Sequence, residues 1–139
     1  MRKIIFASHH NLAQGLKETI QYIVPNIEEI IAISAYTTNT PVETEVEDAL
    51  ADLTKTDEAL IFTDLLGGSV NQAFVKYLNH ANVHVITGMN VPVILTILLG
   101  LNESLVTKET IQFAIQEGQS QLIYVNDYME NQELDEDDE

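Results

Sequence analysis

Short apolar runs alternate along this chain with longer stretches in which apolar positions return every three or four residues. Lys3–Ser8 is a continuous apolar run, the pattern of a strand covered on both faces. His9-His10-Asn11 then turns into Leu12–Val24, where Leu12, Leu16, Ile20 and Ile23 share one helix face and Pro25 stops the helix. Ile30–Ala35 predicts a second strand and Tyr36–Thr40 a polar loop. Thr40 as cap and Pro41 as first residue predict a helix to about Leu53, with Val42, Val46, Ala49 and Leu53 on one face. Glu58–Thr63 predicts a third strand, followed by Asp64-Leu65-Leu66-Gly67-Gly68-Ser69 and a helix over Val70–Leu78. A fourth strand is expected at Val83–Thr87, and Gly88-Met89-Asn90-Val91-Pro92 opens a helix to about Leu99. Thr107 caps a further helix ending at Gly118, and Gln121–Val125 reads as a last short strand.

Strands alternating with helices of this length predict an α/β fold with a doubly wound, flavodoxin-like, mostly parallel sheet and right-handed crossovers. The expected strand order is about 2-1-3-4, with the last short strand beyond it. Sheets of this kind take ligands outside the carboxyl ends of the strands, at the switch point between strands 1 and 3. His9 ends strand 1 and Asp64 follows strand 3, so the topology makes these two side chains neighbours in one crevice.

Composition narrows the classes. The 139 residues suit one domain, expected over 1–126. Cysteine is missing, which excludes disulfides and thiolate chemistry. The net charge is −16, and eight of the 22 acidic residues lie in Asp127–Glu139, which reads as a solvated, disordered tail. With no basic patch to neutralise phosphates, nucleic-acid binding is not expected. The longest apolar stretch, Val91–Leu101, is too short to span a bilayer, and a cytoplasmic protein is expected.

The crevice residues suit phosphoryl chemistry. His9 precedes a helix start, where free N–H groups and the helix dipole favour anions. A carboxylate on one imidazole nitrogen fixes the tautomer and leaves the other as nucleophile, and Asp64 is the available carboxylate. Gly67-Gly68-Ser69 resembles a backbone nest whose N–H groups could bind phosphoryl oxygens, with Ser69 also capping the next helix. Each signal has a plainer reading: a histidine at a strand end is more often structural, and Gly-Gly-Ser also serves as an ordinary turn. A metal at His9, His10 and Asp64 lacks a further ligand, so neither metal nor cofactor is expected. His10 should face away from the crevice, and His80 and His84 belong to the opposite end of the sheet. Nucleotide-phosphate loops of the G-x-x-x-x-G-K-[ST] and G-x-G-x-x-G types are missing.

Three segments together resemble one family: Ile4–His9, Leu60–Ser69 and Ile86–Pro92. They are similar to the IIA component of the mannose family of the bacterial phosphoenolpyruvate-dependent sugar phosphotransferase system. The resemblance implies that His9 accepts a phosphoryl group on Nε2 from the phosphocarrier HPr and passes it to a IIB component, with membrane contact only through IIC and IID. It implies Asp64 on Nδ1, Ser69 at the phosphoryl group, and a homodimer that exchanges the last strand, Gln121–Val125, in antiparallel pairing. The sequence departs from that family at Val70, Asn71 and Gln72, where proline, an aromatic and asparagine are usual, and at Thr96, where glutamate is frequent. Two other readings use the same fold. One is a regulatory module or the phosphoryl-carrier subunit of dihydroxyacetone kinase, which usually lacks this Gly-Gly-Ser and Asn-x-Pro arrangement. The other is a flavin-binding module, against which the first loop offers no Ser/Thr run and the chain no tryptophan.

Overall fold

The computed structural model describes residues 1–137, with side chains described through Glu133. Four strands, β1 (Arg2–His9), β2 (Ile30–Ala35), β3 (Glu58–Thr63) and β4 (Val83–Ile86), form a parallel sheet in the order β2-β1-β3-β4. The helices are α1 (Leu12–Ile23), α2 (Val42–Leu50), α3 (Ser69–Val75), α4 (Val91–Leu99), α5 (Lys108–Gln119) and α6 (Val125–Asp137).

Alternation along the strands divides the core in two. Ile4, Phe6, Leu60 and Phe62 pack against α1, α4 and α5 on one face, and Phe6 meets Phe62 edge to face with ring centroids 5.6 Å apart. Ile5, Ala7, Ala59 and Ile61 pack against α2 and α3 on the other. Both faces are covered, so β1 and β3 read as unbroken apolar runs. Ala7 pairs with Thr63, so β1 continues two residues past the end of the β3 ladder, and His9 pairs with Ala35 at the end of β2. That register carries the ends of β1, β2 and β3 to one edge of the molecule.

Boundaries move where backbone chemistry differs from the expected caps. Pro41, not Thr40, is the N-cap of α2: its extended backbone leaves its carbonyl to receive the Thr44 and Glu45 N–H groups. The helix ends at Leu50 rather than Leu53, where the Lys3 ammonium takes the Ala49 carbonyl at 2.6 Å and pairs with Asp52. Asn90 and Thr107 cap α4 and α5, accepting from Val93 N at 3.0 Å and Thr110 N at 3.2 Å.

The C-terminal segment departs most from expectation. Gln121–Val125 forms no strand within the single chain, because a strand there has no ladder partner to receive its N–H and C=O groups. The tail expected to be disordered is helical as α6 through Asp137, helped by Asp127 in its first turn and a 2.8 Å bond from Gln132 Nε2 to the Tyr128 hydroxyl one turn away. Residues 138 and 139 lie outside the described residues. Among the described residues, no helix is long and apolar enough to cross a membrane.

Candidate functional site

The turn after β1 aims His9 across the sheet edge. Buried Ser8 accepts the Ala13 N–H at 2.7 Å and donates to the His10 carbonyl at 3.2 Å, tying the strand end to the start of α1. His10 takes a left-handed backbone (φ 57°) and donates its N–H to the Ala35 carbonyl at 2.8 Å. Its own side chain is exposed.

Asp64 grips His9 twice with one oxygen. Oδ2 accepts the His9 backbone N–H and faces the imidazole Nδ1, each at 2.8 Å, while Oδ1 accepts the Leu65 N–H at 2.9 Å. Burial pushes the Asp64 carboxyl upward, but the His9 amide and ring outweigh it and hold the group below its ordinary value. The carboxylate is ionised at neutral pH, so the neutral ring carries its proton on Nδ1 and its lone pair on Nε2. The side chain of His9 is 39 % exposed and that of Asp64 only 11 %, so the carboxylate is sheltered while the imidazole meets solvent.

The loop after Asp64 completes the rim. Gly67 has φ 75°, a left-handed conformation that favours glycine, and it lets the Gly68 N–H fold back onto the Leu65 carbonyl at 3.2 Å. That N–H is bonded within the turn. A Cβ on Gly68 would stand 3.3 Å from His9 Cε1, so glycine leaves room for the imidazole. Ser69 is not the cap of α3. Gly68 is the N-cap, without a side-chain bond, and Ser69 is the first helical residue. Its hydroxyl is 3.4 Å from His9 Nε2 and 2.5 Å from the Tyr36 hydroxyl. Behind the rim, Thr63 donates to Asn71 Oδ1 at 2.9 Å in a buried bond that ties the end of β3 to α3.

His9, Asp64, Gly68 and Ser69 thus meet at one place. Tyr36 joins them, with its ring centroid 5.6 Å from that of His9, although the sequence pattern places it only in a polar loop. The signal was available: Tyr36 follows β2, and the order β2-β1-β3 sets the end of β2 beside His9. His80 lies elsewhere, bonded to the Thr54 carbonyl, and His84 sits on β4 opposite Leu60. Among the described residues, no group of three or more His, Asp or Glu side chains could hold a metal ion.

A parallel α/β sheet in the order β2-β1-β3-β4, with an aspartate-bonded histidine in the crevice at its switch point, defines a flavodoxin-like class of domain. The family described as PTS system fructose IIA component matches residues 3–115. The chain belongs to this family, the mannose-type IIA components of the sugar phosphotransferase system. A structure from Klebsiella pneumoniae, described as a phosphoenolpyruvate-dependent sugar phosphotransferase system permease, is 30 % identical with a TM-score of 0.85, covering 92 % of this chain and 93 % of that one. The IIA protein associated with the fucose utilization operon of Streptococcus pneumoniae is 25 % identical with a TM-score of 0.74, over 92 % and 96 % of the two chains. The mannose/sorbose specific IIA subunit of Enterococcus faecalis, 20 % identical with a TM-score of 0.72 over 88 % and 92 %, shares the fold. No curated protein matches the chain.

Proposed function

We propose that this protein is a cytoplasmic phosphoryl carrier of a sugar phosphotransferase system, loaded on His9 by phospho-HPr and discharged to a IIB component. The observation that carries this reading is the 2.8 Å contact between Asp64 Oδ2 and His9 Nδ1, which leaves Nε2 outward with its lone pair. In loading, that lone pair forms a bond to phosphorus as the bond from phosphorus to the donor breaks, and the electron pair leaves with the donor. Asp64 stabilises the cationic imidazole as it forms. Ser69 lies close enough to Nε2 to turn its hydroxyl to a phosphoryl oxygen, and Gly67 and Gly68 shape the turn that brings it there. Discharge is the reverse attack by an acceptor nucleophile. Exposed Leu12, at the start of α1, and exposed Leu65 and Leu66, in the loop after β3, offer an apolar rim for the partner carriers. Contact with IIC and IID follows only through IIB.

The same reading includes a homodimer. Leu122, Tyr124 and Val125 stand exposed in the single chain, with Leu122 92 % accessible, which supports exchange of the 121–125 segment between two copies. Sedimentation equilibrium should give twice the chain mass of 15.5 kDa. A monomer at all micromolar concentrations refutes the exchange.

The carrier role is tested with Enzyme I, HPr and labelled phosphoenolpyruvate. Wild type should take one acid-labile phosphate per chain, and His9→Ala none. Equal labelling of the two removes His9 from the reaction.

A further inference from the structure

Tyr36 stands against both His9 and Ser69, and phosphoryl transfer through His9, Asp64 and Ser69 gives it no task. Its backbone is unusual. With φ 69° it occupies the left-handed region, which a bulky residue rarely adopts, and the Thr37 hydroxyl pins the same turn by donating to the Ser34 carbonyl at 2.7 Å. Burial of the ring does not account for that conformation, because Tyr36 is 55 % exposed. What the conformation achieves is a placement. The Tyr36 hydroxyl meets Ser69 Oγ at 2.5 Å, and the ring lies tilted at 36° to the imidazole.

The proton count at Ser69 gives this placement its meaning. A serine hydroxyl has one proton to donate. To direct it toward His9 Nε2, or toward an oxygen of a group carried there, Ser69 must be an acceptor in its bond with Tyr36. The phenol is the stronger acid of the two hydroxyls and is the natural donor. Tyr36 O–H to Ser69 Oγ, then Ser69 O–H toward Nε2, is one consistent chain, with Asp64 holding the far side of the ring. Without the phenol, the Ser69 hydroxyl is free to rotate toward water.

We propose that Tyr36 is a positioning residue of the phosphoryl relay, acting through Ser69 to keep its hydroxyl aimed at His9 Nε2; this rests on reading His9 as the phosphoryl acceptor. Tyr36→Phe keeps the ring and the turn and removes only the hydroxyl. It should slow transfer from phospho-HPr by roughly tenfold, the scale of one lost positioning bond. The phosphoryl group on His9 should also hydrolyse at a changed rate, a property that packing alone does not alter. Ser69→Ala should give a loss of similar size. Because Tyr36 acts through Ser69, adding Tyr36→Phe to Ser69→Ala should slow transfer no further. Wild-type transfer and phosphohistidine lifetime in Tyr36→Phe overturn the proposal, and so does a double variant whose losses multiply. A wild-type protein that takes no label refutes the carrier reading itself and the Tyr36 role with it, an outcome distinct from a labelled wild type matched by Tyr36→Phe.

Discussion

Replacing Asp64 with Asn preserves shape and removes charge, and the geometry at His9 dictates the consequences. The carboxylate accepts three hydrogen bonds: two at Oδ2 from the His9 amide and ring, and one at Oδ1 from the Leu65 N–H. An amide has one oxygen. If that oxygen faces His9, the amide NH2 faces the Leu65 N–H, donor against donor. If it faces Leu65, the NH2 meets the His9 amide and drives the ring proton from Nδ1 to Nε2, the atom whose lone pair must attack. Either way one bond is lost and the others fall from charged to neutral strength, a cost of about 3–5 kcal/mol given that charged hydrogen bonds contribute ~1.5–3 kcal/mol and neutral ones ~1. In urea this moves the unfolding midpoint down by roughly 1.5–2 M. The deficit depends on pH. The folded Asp64 carboxyl titrates below the unfolded one, so its contribution is complete above about pH 4 and is lost as the pH falls through the folded value. Wild-type and Asp64→Asn midpoints should converge in that acid window. Transfer from phospho-HPr should fall by about 10²- to 10⁴-fold, the range expected on loss of the general acid–base partner or of the reactive tautomer. Transfer within threefold of wild type, or a stability gap that persists unchanged into acid, would refute this role for Asp64.

Three further variants separate site from scaffold. Gly68→Ala is compatible with its backbone (φ −68°), so urea melts should shift by less than about 1 kcal/mol, while the Cβ pressing on His9 Cε1 slows phosphoryl transfer. Gly118→Ala puts a methyl into Val93 where α5 crosses α4, and should cost about 1–3 kcal/mol in urea with labelling of His9 retained in the folded fraction. Asn90→Ala removes the bond to Val93 N and should lower stability by about 1 kcal/mol, read from the same titration.

The strands and the pairing of His9 with Asp64 were legible because they follow from periodicity and topology alone. Unbroken apolar runs require a sheet covered on both faces, and the 2-1-3-4 order then places residue 9 beside residue 64. Caps were less legible, since Thr40, Pro41, Gly68 and Ser69 are all acceptable at a helix start and only the surrounding backbone decides among them. Ser69 stands one residue past the cap, with its hydroxyl on Tyr36, a partner 33 residues away that no local pattern exposes. The end of the chain was least legible. Whether residues 121–125 form a strand depends on what pairs with them, and the charged run after them is compatible both with a solvated coil and with helix α6.

If Asp64 holds Nδ1 so that His9 carries the phosphoryl group on Nε2, the bond to phosphorus is itself observable. Nitrogen and phosphorus NMR of the ¹⁵N-labelled protein, loaded by Enzyme I, HPr and phosphoenolpyruvate, reads it without an intervening assay. One phosphorus resonance coupled to Nε2 of His9, with the Nδ1 proton retained, is the expected result. Phosphorus on Nδ1, on another residue, or on nothing at all would contradict it.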